Sequence, residues 1–213
     1  MRRLILAAAI TASLLVLPGT VPANAAPNRS ADATSQAFWT TQHWLDADTY
    51  RLSTWYVGVF QYQDRHGTFY YSDLYREVDT CNVVGSRTRC HQTSFAYGDS
   101  GIDKRGESFT IDSDGLTTAN VHARYWLQRY DQAGNPLGHP VRHVVDATWT
   151  GRGDLTRSHQ KESFHQGCTH YTTTIKGQFR RATATGTLDG SDLGTTRVAF
   201  LATDASLSVD HRC

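Results

Sequence analysis

From residue 48 onward, apolar and polar residues alternate with a period of two, and the alternation breaks at clusters of Gly, Asp and Asn. That period sends successive side chains to opposite faces of an extended strand. The Thr, Val and Tyr that fill these runs suit a pleated, half-buried surface. The pattern predicts strands near 50–63, 68–79, 81–84, 87–97, 106–112, 117–130, 140–150, 153–165, 169–178, 181–188 and 195–209. Turns are expected at 64–67, 98–101, 131–138, 151–153 and 189–194. No long helical periodicity, repeat or linker interrupts 48–213, so one all-β domain is expected, a single antiparallel β-barrel or a β-sandwich. Residues 26–47 carry Ala, Asn, Ser, Thr and Asp around Phe38, Trp39 and Trp44, and read as a loose N-terminal arm.

Two hairpins can be given a register. Around Arg65-His66, residues pair when their numbers sum to 131. One face then holds Trp55, Val57, Val59 and Leu74. The other pairs Tyr56 with Tyr75, Gly58 with Asp73, Phe60 with Tyr71 and Tyr62 with Phe69, and Glu77 lies further along it. Six rings thus surround Asp73, which faces a residue without a side chain. Tyr56, Phe60, Tyr62, Phe69, Tyr71, Asp73 and Tyr75 therefore form a candidate ligand-binding site, aromatic-lined and oriented by one carboxylate. The plain alternative is a core face on which tyrosine hydroxyls satisfy a buried Asp. In the second hairpin, 117–150, a sum of 270 sets Tyr125 against Val145, Ala123 against Ala147 and Arg124 against Asp146.

The first residues change the picture of where the chain works. Met1-Arg2-Arg3 is a basic start, residues 4–17 are an apolar run of 14, and Ala23-Asn24-Ala25 supplies small residues for cleavage after Ala25. A spanning helix needs about 20 apolar residues, so a signal peptide over 1–25 and a secreted product without membrane anchor are expected. Removing 25 of 213 residues takes Arg2 and Arg3 with it, so Lys+Arg falls from 21 to 19 against 20 Asp+Glu. A near-neutral balance argues against nucleic acid as a partner.

Export gives meaning to four cysteines. Gly85-Ser86 is a two-residue turn signal that places Cys81 opposite Cys90 at a separation a disulfide tolerates. Cys168 then pairs with Cys213. Loop closure credits the 10-residue ring with about 2.7 kcal/mol and the 46-residue ring with about 4 kcal/mol. The rival reading is a metal site of His165, Cys168 and His170 with His159 nearby, disfavoured because export oxidises such a cysteine, so no metal and no cofactor are expected.

Catalytic residues are not identifiable. No nucleophile elbow, zinc-helix, phosphate-loop, dinucleotide or calcium-loop pattern occurs. His143 lies on the apolar face between Val141 and Val145, as a hydrogen-bonded core histidine would, and His91, His122, His159, His165 and His170 are dispersed. Asp73 and Glu77 span roughly 13 Å along one strand, a poor spacing for a glycosidase pair. Arg152-Gly153-Asp154 reads as a turn between strands. The runs Asp-Ala-Thr-Trp-Thr-Gly-Arg-Gly-Asp-Leu-Thr-Arg at 146–157 and Arg-Ala-Thr-Ala-Thr-Gly-Thr at 181–187 resemble a pattern in secreted hypothetical proteins of actinobacteria. The resemblance covers about the last third of the chain, implies secretion and a β fold, and carries over no functional residue.

The leading functional expectation is a secreted, non-enzymatic binding protein for a small molecule, a glycan or an extracellular protein. A small secreted hydrolase acting on polysaccharide or peptide is the first alternative, and needs a His–carboxylate contact beside an exposed nucleophile. The second is an inhibitor of secreted enzymes that presents the bridged 81–90 hairpin.

Overall fold

The computed structural model describes residues 29–102, 106–157, 159–166 and 169–211. Among them are eleven strands and no helix: β1 (Arg29–Trp44), β2 (Thr49–Asp64), β3 (Gly67–Val84), β4 (Arg87–Gly101), β5 (Ser108–Ile111), β6 (Thr118–Asp131), β7 (Pro136–Arg157), β8 (Gln160–Gln166), β9 (Thr169–Ile175), β10 (Gln178–Leu188) and β11 (Ser191–His211). Each pairing is antiparallel. Eight strands, in the order β1-β2-β3-β4-β6-β7-β10-β11, form a ring that closes where β11 pairs with β1. The ring is not a clean barrel. β5 adds to β6, and the β8–β9 hairpin adds to the part of β11 that extends beyond β10. The fold is all-β, as the alternation requires.

Alternation divides the side chains between two layers. Ala37, Val57, Leu74, Ala96, Tyr125, Val145, Ala182 and Leu201, one from each ring strand, belong to a single buried cluster that fills the inside of the ring. Polar groups buried there are satisfied locally. Ser72 Oγ donates to Gly58 O at 3.0 Å and shares a hydrogen bond with the Tyr125 hydroxyl, and Trp149 Nε1 donates to Gln36 O at 3.0 Å. The opposite face of β1 and β2 carries Phe38, Tyr56 and Phe60, and the β8–β9 hairpin covers it with Phe164 and Tyr171.

Residues read as a loose arm, 29–44, are instead a central strand: β1 pairs with β2 from Ala33 to Trp44 and with β11 from Arg29 to Ala37. The alternation there is hidden because its buried residues are small or polar. Ala31, Ala33 and Ala37 are buried on β1 beside Thr34, Ser35 and Gln36, and across the closure stand Ala199, Ala202 and Ala205.

The first hairpin keeps its expected register along its whole length, from Thr49 opposite Asn82 to Asp64 opposite Gly67. The second is corrected. Past an irregularity between Leu127 and Arg129, Tyr125 faces His143, Val121 faces Ala147, and Asp146 faces His122 rather than Arg124. The slip is of two residues, so both faces survive it. Arg124 approaches Glu107 instead, with Nε 4.0 Å from Oε1. Two expected turns are also strand. Residues 151–153 lie inside β7, where a register shift opposite Phe179 and Arg181 takes up the extra length. At Gly98, inside β4, an added Cβ would stand 2.6 Å from the Trp126 carbonyl oxygen, so this glycine marks close strand approach and not a bend.

Cys81 and Cys90 form the expected disulfide, with Cα atoms 4.0 Å apart. Cys168 and Cys213 lie outside the described residues. Gly98→Ala should destabilise the protein by about 1–3 kcal/mol, because backbone and not a flexible side chain stands in the way. Val84→Ala, at a position 64% exposed, should stay within about 0.5 kcal/mol. Urea denaturation of both variants checks the pair of values.

Candidate functional site

The seven residues of the aromatic face do share one side of the β2–β3 hairpin, and protein covers most of them. Tyr56, Phe60 and Asp73 are buried, Tyr62, Tyr71 and Tyr75 are half-buried, and Phe69 is 51% exposed. Phe38 is the hub of the covering layer, with ring centroids 4.9 Å from Tyr56, 4.4 Å from Phe164 and 4.8 Å from Tyr171. The space above Gly58 is taken by Tyr56 itself, whose hydroxyl lies 2.1 Å from where a Cβ would be. Asp73 accepts a hydrogen bond from the Tyr97 hydroxyl at 2.9 Å, while the Tyr71 hydroxyl donates to Asp99 at 2.6 Å. Burial first, and the Asp99 carboxylate next, hold the Tyr71 phenol well above its ordinary pKa. This end of the face is a satisfied tyrosine–aspartate network.

Further along β3 the same face carries Glu77 and Asp79, both fully buried. Gln92 Nε2 lies 3.3 Å from both the Tyr75 hydroxyl and Glu77 Oε1. Asp73 and Glu77 are therefore closed to a polysaccharide. Burial pushes the Asp79 carboxyl up to about 6, and neither of its oxygens has a hydrogen-bond partner among the described residues. The folded protein then holds a proton that the unfolded chain releases near pH 4, so this group's stabilisation fades as pH rises from about 4 through 6. Tyr171, buried over these acids, has its phenol raised by burial and by its ionisable neighbours, Tyr75 and Glu77 first among them.

His143 and His122 each lie beside a carboxylate. His143 Nδ1 lies 2.7 Å from Asp189 Oδ2, and its ring stands edge-on to Trp55 at 6.1 Å, so the expected core histidine is half-buried and hydrogen-bonded. His122 Nδ1 lies 2.5 Å from Asp146 Oδ1. In register, Ser108 of β5 faces His122 of β6, which faces Asp146 of β7, and all three line one shallow cleft. The order matches a nucleophile, base and orienting acid. The His–Asp contact is made, but among the described residues no hydrogen bond joins Ser108 to His122, and the His and Asp side chains are 40% and 55% exposed. Water is not kept from this row. His170 faces His165 across β8 and β9; Cys168 and the His165 side chain lie outside what is described, and no three ligating side chains converge among the described residues.

The cleft with binding character lies beside the covered face. Between the β8–β9 hairpin and the outer side of β10 and β11 is a space of about 190 Å³, floored by Phe38, Phe164, Tyr171, Phe179 and Phe200. Its rim carries Arg181, Arg197 and Glu162. No ion pair joins these three charges among the described residues. Arg181 also stands directly opposite Arg152, so two like charges share one face, an arrangement that costs a sheet stability. Arg152 belongs to the Arg-Gly-Asp run, and its Nε is buried without a hydrogen-bond partner among the described residues. None of the seven residues of the aromatic face lines this cleft. Sequence reading missed it because Phe38 read as arm, and because Phe164, Phe179 and Phe200 meet only through the β11 closure.

In comparisons with known proteins, no family model, no curated protein and no solved structure matches this chain. Asp79→Asn should raise the melting temperature by roughly 2–8 °C at pH 7.5 and leave it nearly unchanged at pH 4.5, where Asp79 is already protonated in the wild type. Calorimetry of both proteins across pH 4–8 measures the difference.

Proposed function

We propose that this chain is an exported, non-enzymatic binding protein that takes a small apolar molecule bearing one anionic group into the cleft between β8–β9 and β10–β11. The observation that carries this reading is the pairing of five aromatic rings on the floor with two arginines on the rim, neither in an ion pair among the described residues. The rings supply dehydration of an apolar body and the guanidinium groups its orientation. At about 190 Å³ the cleft suits one or two fused rings rather than a large ligand. The signal-like first 25 residues and the Cys81–Cys90 bridge support export. The hydrolase reading has less support, because the Ser108–His122–Asp146 row lacks the nucleophile–base hydrogen bond and stands open to water.

The test uses 2-naphthoate and its neutral isostere 2-naphthamide, titrated by calorimetry. Both should bind at one site per chain, the carboxylate about tenfold tighter, from charge-assisted hydrogen bonds worth about 1.5–3 kcal/mol each before screening. The double substitution Arg181→Gln/Arg197→Gln should erase the difference while keeping the amide. Phe179→Ala should weaken both. Absence of binding by either compound rules out the cleft as a small-molecule site.

A further inference from the structure

The inside of the ring ends in a second kind of site. On β2, β3 and β6 the inward-facing alternation continues past the apolar core: Trp55 leads to Arg51, Leu74 to Arg76, and Leu127 to Arg129. These three arginines line one cleft of about 300 Å³, together with the hydroxyl-bearing Thr80, Thr93 and Ser94. No carboxylate lines it, and among the described residues none of the three arginines makes an ion pair. Glu77 and Asp79 alternate with Arg76 and Val78 along β3 and therefore point to the other face, under the β8–β9 hairpin.

Arg76 is the fixed member. Its Nε donates to Ser53 Oγ at 3.3 Å, and its guanidinium carbon lies 5.0 Å from the centre of the Trp55 ring. It is half-buried, and burial first, then the charges of Arg129 and Arg51, pull its pKa below the ordinary arginine value. Three cations brought together in a partly dehydrated cleft repel one another more strongly than they would in open water. The fold therefore keeps an uncompensated positive site at the mouth of the ring. Guanidinium forks match the oxygens of phosphate and sulfate, which accept two hydrogen bonds at a time, and hydroxyls can take the remaining oxygens.

We propose that this mouth is a binding site for a tetrahedral oxyanion, the phosphate or sulfate group of a small ligand, held by Arg51, Arg76 and Arg129. It is distinct from the aromatic cleft, which lies on the outside of the ring, and does not depend on that cleft being occupied.

Isothermal titration with inorganic phosphate and with inorganic sulfate, each against sodium chloride at matched ionic strength, tests the proposal. Saturable binding of phosphate, sulfate or both, at one ion per chain, is expected, and the pair of titrations tells which group the site accepts. Arg76→Gln and Arg129→Gln should each weaken that binding at least tenfold, and Arg65→Gln, in the turn between β2 and β3, should leave it unchanged. Without anion, Arg129→Gln should raise the melting temperature, because it relieves the repulsion felt by Arg76. Should Arg76→Gln not fold, Arg51→Gln and Arg129→Gln, both at exposed positions, carry the same comparison. Heats no larger than those of chloride, binding that survives both substitutions, or an Arg129→Gln protein that melts no higher without anion would each overturn the proposal.

Discussion

The closure between β1 and β11 is the constraint on which the rest of the molecule depends. A sheet of this size exposes two edges unless it closes, and exposed edges invite pairing with other chains. Here β11 is shared. One of its edges pairs with β10 and then with β9, while its other edge pairs with β1 from Ala199 to Leu207. The small residues Ala31, Ala33, Ala37, Ala199, Ala202 and Ala205 let the strands approach where both sides of the wall are covered. The outer cleft is assembled across this closure: Phe38 comes from β1, Arg197 and Phe200 from β11, and Phe164 and Tyr171 from the hairpin that β11 carries.

The β2–β3 wall then serves two environments at once. Its inward residues build the apolar interior and end in arginines, and its outward residues build an aromatic layer that ends in carboxylates. Residues 76 to 79 show the division within one strand: Arg76 and Val78 face the mouth of the ring, Glu77 and Asp79 face the hairpin. Opposite charges are held on opposite sides of one wall, where they cannot form direct ion pairs. The cost is borne as a raised Asp79 pKa on one side and a lowered Arg76 pKa on the other. Only the arginine side of this wall opens on a cleft, while Glu77 and Asp79 stay buried.

Local pattern made much of this legible. The register of the first hairpin, the two faces of β2 and β3, and the Cys81–Cys90 bridge all follow from a two-residue turn and a period of two. What the sequence left unreadable depends on contacts between distant segments. β1 hides its alternation behind alanine, serine and glutamine, which look like an arm until β2 and β11 flank them. Gly98 and Gly151 look like turns because a close approach of strands and a bend use the same residue. The second hairpin leaves its expected register because its turn is tighter than hydrophobicity shows: Tyr130 already faces Pro136, and the irregularity between Leu127 and Arg129 recovers only part of the difference. The Asp73 face was visible as aromatic, but its cover, Phe164 and Tyr171, comes from a hairpin about 90 residues later. The arginines at 51, 76 and 129 are unremarkable along the chain and converge only in the ring.

Amide hydrogen exchange read residue by residue over Ala33–Ala37 and Ala199–Leu207 tests the closed ring most directly. Strands hydrogen-bonded on both sides exchange only when the whole domain opens, so these amides should be protected as strongly as those of Val57 and Tyr125. Exchange within the first minutes over 33–37, while β2 and β3 stay protected, would mean that this segment is an arm, that the ring is open, and that the cleft built across it does not exist.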